Sequence, residues 1–244
     1  MLVSFVWLQL APGPGRGRTE RKKAPQTAGA TMVLIDPGHG GQDSGAMRNG
    51  VLEKDLALDV AHRLERLAQK RGFETMMTRR DDKWISLARR AAAANRERNC
   101  IFVSIHFDEG ARAAATGVQT FYAAQQAPKS SIPSWLPFLQ PALGEPGNIE
   151  SQSLAAFVQE AIVARTRAFN RGTTAQQFYV VANVRHPAVL VEGGFLSNDE
   201  DIAKLTTEGY REELALAITE GLVQYRDLAG VRPATLALGD ASPE

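Results

Sequence analysis

The chain has 244 residues, four histidines, one cysteine and a formal net charge of +1. An apolar fraction of 44% supports a sizeable core and excludes disorder throughout. The length points to one core domain, and the lone Cys100 excludes an intrachain disulfide or a multi-cysteine zinc cluster. Residues 1–31 carry five basic side chains against Glu20, so the remaining 213 hold 23 basic and 26 acidic ones, net −3. A mildly acidic body argues against nucleic acid as the main partner, because phosphate contacts need a basic face.

The stretch Leu2 to Leu10 is apolar but far short of the ~20 residues that span a bilayer. As a secretory signal it is poorly formed, because its basic residues follow the apolar run and Pro12 stands where cleavage is hindered. It reads as a truncated signal, a mis-assigned start or a short interfacial anchor. Residues 12–31, rich in Gly, Pro, Arg and Lys, read as a flexible linker.

From Met32 the pattern changes. MVLID (32–36) predicts a strand running into a glycine-rich loop. Glu53 to Arg71 carries Leu56, Val60, Leu64 and Leu67 at helical spacing, with Gly72 as the stop. FETMMT (73–78) reads as a strand and Ser86 to Arg98 as an alanine-rich helix. CIFVSI (100–105) and GVQTFYA (117–123) follow as strands, then Ser153 to Ala168 as helix, FYVVANV (178–184) and AVLVE (188–192) as strands, and Ile202 to Leu205 and Glu212 to Tyr225 as closing helices. Strands alternating with helices, several lacking polar alternation, predict an α/β sheet covered on both faces. There is no internal repeat. Five prolines between Pro128 and Pro146 preclude a long helix over 124–150. That stretch reads either as a surface loop or as a functional lid carrying Trp135, Leu136, Phe138 and Leu139. Residues 227–244 read as a tail without period.

Four chemistry-bearing residues share one placement. His39 follows the first strand, His106 and Glu192 end two others, and Glu53 opens the first helix. Ligand sites in open α/β sheets collect at the carboxyl ends of strands, so the four can converge at one edge. Two imidazoles and a carboxylate suit one Zn²⁺ with an open fourth position, and a second carboxylate can carry a proton from water to a leaving nitrogen. Taken singly, His39 reads equally as a turn residue, His106 as a core histidine and Glu53 as a helix-dipole partner. Glu192, placed straight after AVLV, is expensive to bury without a role.

IDPGHGGQDSGA (35–46), LEKD (52–55), TRRDDKWISLARRAAAAN (78–95), FVSIHFD (102–108), GVQTFY (117–122) and PAVLVEGGFLSN (187–198) together resemble, in order, the Amidase_3 family of zinc-dependent N-acetylmuramoyl-L-alanine amidases. The resemblance implies a three-layer fold with a mixed six-stranded sheet. It also implies hydrolysis of the amide between N-acetylmuramic acid and L-alanine in peptidoglycan, with His39, Glu53 and His106 as ligands of one zinc ion and Glu192 as the catalytic residue. It places the catalytic domain at 32–226, with the 124–150 insertion where regulated relatives carry an inhibitory helix; the prolines favour a shorter apolar lid or glycan-side wall instead. Asp108 replaces a usual Asn, and His186 a usual apolar residue. Arg79 and Arg89 match family positions that look structural, and His62 and His186 read as bystanders. A monomer acting in the cell envelope, periplasmic or extracellular, is expected from the substrate. The competing readings are a catalytically silent wall-binding module and a zinc peptidase of related fold.

Overall fold

The computed structural model describes residues 31–108, 110, 114–126 and 148–231. The expected leader, most of the proline-rich stretch and the end of the tail lie outside them. A six-stranded sheet has the order β4-β1-β5-β8-β6-β7, built from β1 (Met32–Pro37), β4 (Glu74–Met77), β5 (Cys100–Asp108), β6 (Val118–Tyr122), β7 (Asn170–Ala175) and β8 (Ala188–Phe195). Only the β6–β8 pair is antiparallel, so the sheet is mixed, as expected. A two-stranded hairpin, β2 (Met47–Arg48) and β3 (Val51–Leu52), stands apart from it.

The helices are α1 (Glu53–Lys70), α2 (Leu87–Asn95), α3 (Ile149–Thr166), α4 (Tyr179–Ala182), α5 (Asp199–Leu205) and α6 (Glu208–Val231). Local chemistry sets most of their ends. Ser86 caps α2, and Asn148 starts α3 four residues before the expected Ser153 by accepting from the Ser151 N–H. Thr207 accepts from the Tyr210 N–H at the start of α6, which runs to Val231, past the expected end at Tyr225.

One expectation fails outright. FYVVANV is not a strand: Phe178 is extended and Tyr179–Ala182 form the single turn of α4. The sixth strand is instead β7, NRGTTA, which pairs in parallel with β6 at the sheet edge. An edge strand exposed on both faces needs no apolar alternation, and polar residues there discourage further pairing. The β-branched pair Val180 and Val181 is buried from a helix, where packing overrides propensity.

The two faces of the sheet are covered unequally. Val33, Ile35, Ile101, Val103, Ile105, Phe107, Val118, Val189 and Val191 pack under the long helices α1, α3 and α6. Leu34, Cys100, Phe102, Ala188 and Leu190 face α2 and α4, which are nine and four residues long. The alternation of a strand places His106 on the thinly covered face with Phe102, and Glu192 there with Leu190. That leaves the carboxyl half of this face open for chemistry.

The thick side depends on one close approach. A Cβ at Gly221 of α6 would stand 2.6 Å from the Val158 Cα of α3. Gly221→Ala therefore destabilises the fold by about 1–3 kcal/mol through overpacking, although alanine favours an isolated helix by roughly 1 kcal/mol. A lowered urea midpoint checks this; a raised one contradicts it.

Candidate metal centre

β1 delivers its last residues into the turn Gly38–Gly41, and His39 adopts a left-handed φ of 57°. A Cβ at Gly38 would lie 2.5 Å from the His106 ring, so only glycine lets that ring pack over the end of β1. His106 arrives from β5, where its Cα partner on β8 is Glu192. Glu53 arrives from the start of α1. No side chain caps that helix; its first two N–H groups donate to the Ala46 and Ser44 carbonyls of the same loop.

The Glu53 carboxylate joins these pieces. Its Oε1 lies 3.0 Å from His39 Nε2 and 2.9 Å from His106 Nδ1, and accepts from the Phe107 N–H at 3.1 Å. Its Oε2 accepts from the Ala46 N–H at 2.9 Å. A Cβ at Gly45 would stand 2.4 Å from Glu53 Oε2 and 2.6 Å from the His39 ring, so the loop is shaped around this pair. One ligand atom from each of His39, Glu53 and His106 falls within 4.8 Å of the others. The two imidazoles meet edge to face, 4.9 Å between centroids. Neighbouring ligands of a tetrahedral zinc at 2.0–2.1 Å stand about 3.3 Å apart, so the spacing fits such an ion.

Asp43 completes the His39 setting. His39 Nδ1 lies 2.9 Å from Asp43 Oδ1. An ionised carboxylate only accepts, so Nδ1 donates to Asp43 while Nε2 donates to Glu53; a cation at the cluster would take the place of the Nε2 proton. Asp43 is a residue that sequence reasoning passed over; its signal was its place four residues after His39.

Two neighbouring carboxyls are driven in opposite directions. Burial alone would raise the Glu53 carboxyl, but hydrogen bonds from His106 and His39 outweigh it and hold it well below the usual carboxylate range. Burial, reinforced by the charges of Glu53 and Asp108, pushes Glu192 well above that range. Glu192 as a residue is partly exposed, yet its Oε2 is shut off from solvent and has no hydrogen-bond partner among the described residues.

Two buried arginines hold the His39 loop. Arg90 Nη1 donates to Asp36 Oδ1 at 2.7 Å and to the Pro37 carbonyl at 2.6 Å, and its Nη2 donates to the His39 carbonyl at 2.6 Å. Arg79 donates to the Pro37, Gly38 and Lys54 carbonyls. Asp36, fully buried, also accepts from Ser104 and Thr78. The expectation for Arg79 holds; that for Arg89 does not. Arg89 is exposed, and the structural guanidinium is that of its neighbour Arg90. The helical turn decides which of two adjacent arginines points inward. Asp36 carried the same signal as Glu192, a carboxylate closing an apolar run.

A cleft of 290 Å³ opens beside His39 and His106, with Asp43, Trp84, Leu87 and Val180 among its walls; Trp84 and Leu87 are about half exposed. His62 and His186 stay outside. His62 accompanies the Arg80 carbonyl, and His186 precedes β8, at the end opposite Glu192. Cys100 is buried at the start of β5, its thiol pushed up to about 12 by burial, which leaves it a packing residue.

The family whose sequence pattern matches residues 33–224 is Amidase_3, N-acetylmuramoyl-L-alanine amidase. This chain belongs to that family. It is 34% identical over 195 residues to the uncharacterized protein YqiI of Bacillus subtilis, covering 80% of this chain and 84% of YqiI. It is 32% identical over 194 residues to the N-acetylmuramoyl-L-alanine amidase LytC of the same organism, covering 79% of this chain and 35% of LytC. Among solved structures, the N-acetylmuramoyl-L-alanine amidase of Clostridium difficile 630 superposes with a TM-score of 0.69 at 33% identity, covering 81% of this chain and 97% of that one. The expected family, mixed sheet and amidase class are all borne out. The enzyme is a cell-wall amidase, and its candidate metal cluster sits at the carboxyl edge of the sheet.

Because Arg90 neutralises a buried aspartate while holding the amidase's His39 loop, Arg90→Ala should cost about 3–5 kcal/mol of stability. Arg89→Ala, on the exposed side, should stay within about 0.5 kcal/mol. Equilibrium urea unfolding of the two variants distinguishes these positions; equal shifts would contradict the assignment.

Proposed function

We propose that the amidase hydrolyses the bond between the lactyl group of N-acetylmuramic acid and the L-alanine of the stem peptide, using one zinc ion held by His39, Glu53 and His106. The observation that carries this reading is the closed cluster of two imidazoles and one anionic carboxylate beside a second carboxylate with an unpartnered oxygen. Bound zinc would supply a Lewis acid for the scissile carbonyl and lower the pKa of water to about 7.

Glu53 supports the ligand role because it stays ionised and its two oxygens are oriented by backbone N–H groups. Asp43 holds the Nδ1 proton of His39, so that Nε2 is the nitrogen a cation would take. Glu192 supports the proton-carrier role. Two carboxyls whose proton affinities are driven apart divide into a fixed anion and a group that exchanges protons, and a nearby cation would return the buried Glu192 toward its ionised form. Glu192 then accepts a proton from the attacking water and delivers it to the departing L-alanine nitrogen, so that acid and amine are released with the proton count balanced.

On this reading the catalytic unit spans residues 32–226 and works as a monomer, since one chain supplies the whole cluster. It acts where peptidoglycan lies, in the periplasm or outside the cell, in wall turnover or daughter-cell separation. A silent wall-binding module would not need a buried Glu192 Oε2 without a hydrogen-bond partner among the described residues. A zinc peptidase would cut within the stem peptide.

Glu192→Gln should lower kcat by about 10²–10⁴-fold with metal content unchanged; retained turnover would remove Glu192 from its role. Muropeptide digests with and without a chelator separate the alternatives, because only the proposed activity yields intact stem peptides and does so only without chelator. Asp43→Ala should weaken zinc affinity about 10–100-fold, measured by competition with a chromophoric chelator. Unchanged affinity would show that His39 needs no such orientation.

A further inference from the structure

The β7 edge that sequence patterning missed brings a fixed cation to the open face of the sheet. Gln119 of β6 is the Cα partner of Glu192, so their side chains share a face. Arg171 of β7 donates from Nε to Gln119 Oε1 and from Nη1 to the Thr116 carbonyl, each at a long 3.4 Å. Its guanidinium carbon lies 4.8 Å above the centre of the Phe195 ring. Phe195 is the Cα partner of Asp108, two residues beyond His106. Although β7 lies two strands from β8, roughly 9–10 Å, the arginine side chain turns back over β6 and sets its charge beside the end of the strand that carries Glu192. Gln119 is itself held, donating to Thr174 Oγ1 at 2.9 Å.

Each of those direct partners is neutral, and the Asp201 carboxylate nearby is engaged by Thr116 Oγ1 and by the Gly117 and Phe195 N–H groups. A guanidinium stacked on a ring and steered by two acceptors has lost much of its rotamer freedom before any ligand arrives, and its planar fork suits a carboxylate. On the reading above, the scissile nitrogen belongs to L-alanine. The main-chain carboxyl of the following residue lies within two residues of chain, about 7 Å at full extension. Phe195 stands three residues beyond Glu192 on β8, an offset of roughly 10 Å that a two-residue peptide and an arginine side chain span together.

We propose that Arg171 is a specificity-determining residue that binds a carboxylate carried by the second residue of the leaving peptide. The inference rests on the amidase reading and adds to it the charge preference of the peptide side. Along the cleft beside His39, with Trp84 and Leu87 in its lining, the arginine present is Arg90, whose charge is paired with Asp36.

The test uses two matched soluble muropeptides and the zinc-loaded full chain. In one substrate the second stem residue bears a free main-chain carboxylate; in the other, the corresponding carboxamide. The wild type should favour the carboxylate by about tenfold in kcat/KM, mostly through KM, and the preference should shrink as salt rises. Arg171→Gln should abolish the preference while leaving cleavage of the carboxamide close to wild type, and Arg171→Lys should keep part of it. A merely structural arginine would lower both substrates together and leave their ratio alone. As a readout besides turnover, calorimetric binding of the two muropeptides to the Glu192→Gln variant should show the same ratio. Equal use of both substrates by the wild type, or a preference that survives Arg171→Gln, overturns the inference alone. Cleavage of neither overturns the amidase reading and this inference with it.

Discussion

A single buried carboxylate organises this molecule. Glu53 is 5% exposed, and leaving its charge unpaired there would be prohibitive. The charge is met by two imidazoles and two backbone N–H groups, drawn from the β1 loop, from β5 and from the segment leading to β2. Two regions far apart in sequence, residues 39–53 and 106–107, are thereby tied to one point. Because the helix macrodipole favours an anion in the first turn, α1 both presents the carboxylate and helps keep it ionised. The same anion acts at a distance, since its field adds to the burial that raises Glu192.

The unequal covering of the sheet explains why the chemistry lies where it does. Long helices seal one face, and their close packing at Gly221 leaves no room there for a substrate. On the other face α2 and the single turn of α4 cover only the amino-terminal half of the central strands. His106, Glu192 and Gln119 emerge just beyond that cover. A site needs polar groups that are fixed yet reachable, and a sheet half-covered on one side supplies both conditions.

Support for the site comes from groups that never face the substrate. Arg79 and Arg90 spend their donors on carbonyls of the His39 loop, which lets a glycine-rich segment with a left-handed histidine hold one conformation. Asp36 neutralises Arg90 and is itself saturated by Ser104 and Thr78. The network is closed, as a buried ionic network must be if it is to specify rather than destabilise.

How much of this was legible beforehand depends on range. Apolar runs and helical spacing determine β1, β5, β8, α1 and α6 locally, because burial of a face writes its period into the chain. The ordered motifs from Asp36 to Asn198 determine the family, and with it the four residues at the strand ends. The sequence could not decide that FYVVANV is a turn of helix while polar NRGTTA is the sixth strand, because an exposed edge strand has no buried face to leave a pattern. Nor could it choose Arg90 over Arg89, pair Asp43 with His39, or carry Arg171 back to Phe195. Those choices are set by distances between segments that meet only after the sheet has formed. The opening count of four histidines bounded the site to one ion; the fold alone decided that His39 and His106 face each other across Glu53, with His62 and His186 left outside.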